Sequence, residues 1–140
     1  MELLDAIKQR HSVRSYLDKP IDTDVRDELR KYIDKCNQEG NLHIQLIENE
    51  PQAFAKGLFH YGLFSNVKNY IALVGKEDST FDERCGYYGE KIVLKAQMLG
   101  LNTCWVGGTY KKIESVVDLK PGEKFLMVIA IGYGENQGRE

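Results

Sequence analysis

Arg10-His11-Ser12-Val13-Arg14 places two guanidinium groups, an imidazole and a hydroxyl within five residues. Several convergent donors and positive charge are what a phosphate needs, and arginine offers it a planar fork. Trp105-Val106-Gly107-Gly108 is a second candidate. Paired glycines after an apolar run let backbone N–H groups approach a flat ligand closely. The third is Gly132-Tyr133-Gly134-Glu135-Asn136-Gln137-Gly138-Arg139, where Arg139 supplies a late cation. Its glycines do not follow the dinucleotide pattern G-x-G-x-x-G, because Gln137 stands where the third glycine belongs and no helix follows. Each feature by itself also fits a plain turn, a polar loop or a frayed terminus.

Other chemistries lack their residues. No H-E-x-x-H, no G-x-x-x-x-G-K and no paired-cysteine metal motif occurs, so no metal site is expected. His11, His43 and His60 are scattered along the chain, and the latter two read as structural. Cys36, Cys85 and Cys104 have no base beside them in the sequence, which favours buried inert thiols in a reducing, cytoplasmic setting. No catalytic side chain is singled out. An enzyme built this way leaves the reaction to a bound cofactor.

The elements that must position these groups fit one domain over residues 1–140. With 19 Lys plus Arg against 21 Asp plus Glu, the formal charge of -2 offers no basic field for nucleic acid. No apolar run approaches the ~20 residues of a membrane span. Leu3, Leu4 and Ile7 predict a short amphipathic helix ending near His11-Ser12. Asp22 or Thr23 caps a second helix with Val25, Leu29, Tyr32, Ile33 and Cys36 on one face, stopping at Gly40. Leu42 to Leu46 alternates like a half-buried strand. Residues 52–68, rich in aromatics from Phe54 to Phe64, read as irregular structure or a short helix packed on something apolar. Tyr70 to Val74 reads as a buried strand ending in Gly75. Thr80-Phe81-Asp82-Glu83 forms a capping box. It opens a helix to Leu99 with Gly100 as the left-handed cap. The many apolar residues after Tyr87 suit a central or intersubunit helix. Thr103 to Val106 is a short strand, and Thr109 to Leu119 a small helix with Ile113, Val116 and Val117 inward. Phe125 to Ile131 is the strongest strand. The expected class is α+β, with a small central mixed or antiparallel sheet flanked by helices.

In this order, the three blocks resemble the flavin-dependent nitroreductase family. Ile7-Lys8-Gln9-Arg10-His11-Ser12-Val13-Arg14-Ser15-Tyr16 is similar to its N-terminal signature. Tyr88-Gly89-Glu90 and Leu99 to Gly108 are similar to its central helix and following strand, and Phe125 to Gly132 with Arg139 to its last core strand and phosphate-side cation. The resemblance implies FMN as cofactor and NADH or NADPH as reductant. Arg10, His11 and Ser12 would hold the phosphate and ribityl end, and Arg14 would lie near the pyrimidine edge of the ring. Val106, Gly107 and Gly108 would lie beside N5 and O4, and Arg139 would complete the phosphate clamp. Hydride would pass through flavin N5 to a nitroaromatic, a quinone or a similar small acceptor, in a homodimer with the site across its interface. Phe59, Tyr61, Phe64 and Tyr110 are candidates to line the acceptor pocket. The family's Asn-bearing segment after the second helix is replaced here by Cys36 to Ile44, leaving Asn41 as its stand-in. The chain also stops earlier than the family pattern, as a shortened or fragmentary member would. Those departures keep a second reading open, a flavin-binding or regulatory module without turnover.

Overall fold

The computed structural model describes residues 1–51, 53, 64–107 and 116–138. Seven elements follow in order: α1 (Leu3–Gln9), α2 (Thr23–Gly40), β1 (Gln45–Ile47), β2 (Tyr70–Lys76), α3 (Phe81–Met98), β3 (Asn102–Val106) and β4 (Glu123–Gly132). The strands form one sheet in the order β1-β2-β4-β3, and every pair is antiparallel. The α+β class stands, and its sheet is purely antiparallel.

Alternation along the strands splits the core into two layers. Ile71, Leu73, Ile129 and Ile131 pack with α2 and α3 through Leu29, Ile33, Cys85, Ile92, Val93 and Ala96. Tyr70, Ala72, Val74, Val128 and Ala130 face the other way, onto Val13, Tyr16, Ile47, Val67 and Val117. The register of β2 on β4 passes from Leu73↔Met127 to Val74↔Phe125, so Leu126 is the extra residue of a bulge. The bulge lets Leu126 and Met127 both face the helices.

Several boundaries differ from the sequence reading. The first strand is shifted to Gln45–Ile47. Before it, the Asn37 carboxamide binds Ile44 at both its N–H (2.7 Å) and its carbonyl (3.0 Å), tying that stretch to α2. The strand at Tyr70 runs through Gly75 to Lys76, and α2 ends on Gly40 with Asn41 taking the left-handed conformation at φ 52°. Gly40 is required for a different reason: a Cβ there would lie 2.5 Å from the Tyr88 ring. The helix from Phe81 forms and Gly100 is left-handed at φ 86°, but the capping box at Thr80 does not. The Thr80 hydroxyl donates to Asp78 Oδ1 (3.1 Å) and accepts from Arg84 Nε (3.1 Å). Val117 is buried as expected, whereas Val116 is 40% exposed. The expected apolar face of α1 points outward: Leu3, Leu4 and Ile7 are 53%, 70% and 53% exposed, and Ala6 is its buried residue. Most of the aromatic stretch 54–64 and of the helix expected over 109–119 lies outside the described residues.

Among the described residues, no helix is long and apolar enough to cross a membrane. Cys36, Cys85 and Cys104 are all buried and free.

Candidate functional site

The N-terminal arm is aimed by the way α1 ends. Arg10 leaves the helix in an extended conformation (φ -68°, ψ 128°), while its N–H still donates to the Ala6 carbonyl. The chain then runs onto the edge of β3. Ser12 forms a parallel bridge with Thr103, and the Val13 N–H donates to the Thr103 carbonyl at 3.0 Å. Because β3 pairs only with β4 on its other side, residues 12 and 13 cover what would be an open edge.

Val13 and Tyr16 anchor the arm in the core at 1% and 2% exposure. The Tyr16 hydroxyl donates to the Val13 carbonyl, closing a tight loop around Arg14. Burial above all, and then Cys104, pushes the Tyr16 phenol up. Arg14 and Arg10 pull the other way without prevailing, so the hydroxyl remains a donor. Arg14 itself is exposed, whereas Arg10, His11 and Ser12 are half-buried.

The chain after β4 folds back onto the same arm. The Leu17 N–H donates to the Tyr133 carbonyl (2.8 Å) and the Glu135 N–H to the Ser15 carbonyl (2.9 Å). Asn102, 4% exposed, holds the next turn. Its Oδ1 accepts from the Gly134 N–H (3.0 Å) and its Nδ2 donates to Gln137 Oε1 (3.1 Å). Gly138, at φ 88°, then comes so close to His11 that a Cβ would lie 2.5 Å from the histidine Cβ. Arg139 follows directly in the sequence and lies outside the described residues, as does Gly108.

Val106 is buried at the end of β3, while Gly107 is exposed with open space where a side chain would project. Thr103, the partner of Ser12, precedes Gly107 by four residues, which is roughly 13 Å along a strand. The two regions therefore occupy one sheet edge. Trp105 sets the level of that edge: its ring lies against Gly89 of α3, and its Nε1–H donates to Glu90 Oε1 at 3.2 Å.

The structure thus sets Arg10, His11, Ser12 and Arg14 beside the start of β3, the strand that ends at Val106 and Gly107. Asn41 is not with them in the same chain. Its carbonyl accepts from Arg84, which also donates to the Lys76 carbonyl at 3.3 Å. Lys76 faces Glu123 at the start of β4, whereas Thr103 faces Ile131 near its end. Along β4 the Lys76 level is about eight residues from that of Thr103, roughly 26 Å, and about five from that of Val106, which faces Val128, roughly 16 Å. Of the aromatic candidates, Phe64 is half-buried against the second core layer. Phe59, Tyr61 and Tyr110 lie outside the described residues.

Three contributors escaped the sequence reading. Asn102 organises the turn after β4. Gln97 and Thr103 are buried polar residues of the same region, at 7% and 1% exposure. Their signal in the sequence is a polar residue inside an otherwise apolar stretch, which says nothing about what it faces. Among the described residues, no group of His, Cys, Asp and Glu is placed to hold a metal.

One observation bears directly on ligand chemistry. Arg10 Nη1 is buried and has no hydrogen-bond partner among the described residues. A buried guanidinium arm without an acceptor is costly; an enclosed water or an anionic group supplies one.

Comparisons with known proteins bear on the family and the fold. The model of the family described as "Putative TM nitroreductase" matches residues 2–140. A structure described as a "putative nitroreductase in complex with fmn" from Desulfovibrio desulfuricans superposes with a TM-score of 0.75 at 18% identity, covering 100% of this chain and 90% of that one. An FMN-dependent nitroreductase from Clostridium difficile R20291 gives 0.72 at 18%, covering 97% and 90%. A "Putative NADH Oxidase" from Clostridium acetobutylicum gives 0.71 at 23%, covering 96% and 90%. At these identities the structures establish the shared fold. Among curated proteins none matches this chain. With its family model matched from residue 2 to residue 140 and its sheet, helices and N-terminal arm in the same fold, the chain belongs to the nitroreductase family.

Proposed function

We propose that this protein is a cytoplasmic, FMN-dependent oxidoreductase, a single nitroreductase-like domain over residues 1–140 that works as a homodimer. Bound FMN would supply two-electron redox chemistry, with NADH or NADPH as the reductant and a nitroaromatic, a quinone or a similar small molecule as the acceptor. The observation that carries this reading is the half-buried Arg10, whose guanidinium has no carboxylate or other acceptor among the described residues, set where the N-terminal arm, the start of β3 and the turn after β4 meet.

The chain's own residues divide the work. Arg10, His11 and Ser12 hold the phosphate and ribityl end, with Arg139 as a further cation. The fit is physical: the half-buried arm offers a guanidinium, an imidazole and a hydroxyl in a partly desolvated place, where charge-assisted hydrogen bonds are strong. Arg14 stands exposed at the rim and compensates negative charge at the pyrimidine edge, which favours the reduced ring electrostatically. Val106, Gly107 and Gly108 present backbone at the ring's other edge, and the lack of a side chain at Gly107 permits the close approach. Asn41, remote within one chain, joins this set from a second protomer. Leu3, Leu4 and Ile7, apolar and more than half exposed, supply the surface that a second protomer covers.

Titration of the purified protein with FMN, followed by anaerobic stopped-flow mixing with NADH and with NADPH, tests the reading. The expected result is a perturbed flavin spectrum that bleaches on mixing and recovers when a nitroarene or quinone is added. Bound flavin that neither nicotinamide bleaches would leave a binding module without turnover. No flavin binding at all would remove the reading.

A further inference from the structure

Three buried polar atoms have no hydrogen-bond partner among the described residues: Arg10 Nη1, Gln97 Oε1 and Thr103 Oγ1. They belong to one seam of the fold. Arg10 closes α1, α1 packs on α3, and the last turn of α3 carries Gln97. Gln97 shares the wall of a cleft of about 350 Å³ with Lys8, Gln9 and His11, the residues on either side of Arg10. Thr103 is the backbone partner of Ser12. Alternation along β3 gives Thr103 the same face as Trp105, the face turned to α3.

The three atoms are chemically complementary. A guanidinium offers only donors, an amide oxygen accepts, and a hydroxyl does either. Buried polar groups of this kind are satisfied by one another or by an enclosed water. Both acceptors are neutral. An amide and a hydroxyl orient a guanidinium and leave its full positive charge for another partner, whereas a carboxylate would cancel it.

We propose that Gln97 and Thr103 are positioning residues for Arg10. Their oxygens take up the inward arm of the guanidinium through one shared buried water, and so fix its outward arm on the phosphate of the bound flavin nucleotide. This inference rests on the flavin reading given above. It assigns the anion selectivity of the site to two residues that do not touch the ligand.

Flavin titrations with FMN and with riboflavin, which has the same ring and no phosphate, test it without reference to turnover. The wild-type protein is expected to bind FMN much more tightly than riboflavin. Gln97→Met and Thr103→Val each lower the FMN-to-riboflavin affinity ratio by about tenfold, the scale of one hydrogen bond to a charged group. Thr103→Ser, which restores the hydroxyl, keeps the ratio within about twofold of wild type. In an Arg10→Ala background neither substitution changes the ratio further, because the route through Arg10 is already gone. The proposal is overturned if the ratio holds in both single variants, or if it falls as far in the Arg10→Ala background. Simple unfolding does not imitate the expected pattern, since it weakens both flavins together. If the wild-type protein itself binds FMN no better than riboflavin, the flavin-phosphate reading falls, and this inference falls with it.

Discussion

The substitutions Gly86→Ala and Gly89→Ala put the same methyl group on the same helix, with opposite expected consequences. At Gly86 an added Cβ meets nothing within 4 Å, so only the backbone contribution acts. Alanine is favoured over glycine inside a helix by about 1 kcal/mol, and Gly86→Ala should stabilise by that amount. At Gly89 the Cβ would lie 2.5 Å from Trp105 Cη2, 3.2 Å from Cζ2 and 3.4 Å from Cζ3. The indole is a rigid plate and its Nε1–H is held by Glu90 Oε1, so relief requires α3 and β3 to move apart. Overpacking of this kind costs about 1–3 kcal/mol. Because the helix contribution is common to both variants, that cost is also the expected gap between them. For a chain of this length it corresponds to roughly 3–10 °C in Tm. Urea denaturation and calorimetry measure the gap. Trp105 is the sole tryptophan, so its emission also reports displacement of its ring. Equal midpoints for the two variants, with unchanged Trp105 emission in Gly89→Ala, would refute the close-packing argument.

Three further outcomes follow from the geometry. Asn102→Leu leaves the Gly134 N–H without its acceptor, at a cost of about 1–3 kcal/mol. It should also speed limited proteolysis after β4, and an unchanged cleavage rate would count against Asn102 as the anchor of that turn. Arg84→Met removes the donor shared by the Gly40, Asn41 and Lys76 carbonyls and by Asp78, and should cost about 2–3 kcal/mol in urea; a loss within experimental error would show those contacts to be incidental. Stability should fall at both ends of the pH scale. Burial opposes ionisation of Glu123, but the Lys120 N–H and the His43 ring outweigh it and hold the carboxyl below its ordinary 4.5. A depressed folded-state pKa gives stability that is present above 4.5 and lost as pH falls through the folded value. Tm should therefore drop in acid, and Glu123→Gln should flatten the drop. Burial pushes the Cys85 thiol from 9.0 to about 11. The fold retains that proton longer than the unfolded chain does, so stability is full below pH 9 and declines from there towards pH 11. If Cys85→Ala leaves the alkaline decline of Tm unaltered, the thiol is not its source.

The two long strands were legible because they are continuous apolar runs, α2 because its apolar residues recur on one face, and α3 because a dense apolar stretch ends at Gly100. Boundaries were less so where a side chain is recruited from far away. Thr80 and Glu83 match the spacing of a capping box, yet the Thr80 hydroxyl is committed to Asp78 and Arg84. Leu42 to Leu46 alternates like a strand, but Asn37 holds the Ile44 backbone before pairing begins at Gln45. The cationic arm was visible as a local cluster of residue types. The partners that hold it were not, because the contacts of Thr103 with Val13 and of Asn102 with Gly134 arise only once β3 and β4 are assembled. Leu3, Leu4 and Ile7 mark the other limit: periodicity shows that a face is apolar, but not whether this chain or another covers it.

The placement of residues 12 and 13 has a consequence for solubility. A sheet of four strands has two borders where foreign strands can dock. One border, β1, is only three residues long. The other, β3, is five residues long, and the segment running to Arg14 occupies its edge at Thr103. The stretch that carries the proposed ligand cluster thus also guards against intermolecular strand pairing. Anything that pins Arg10 and Ser12 in place also keeps that border closed, so occupancy of the proposed anion site would raise resistance to aggregation.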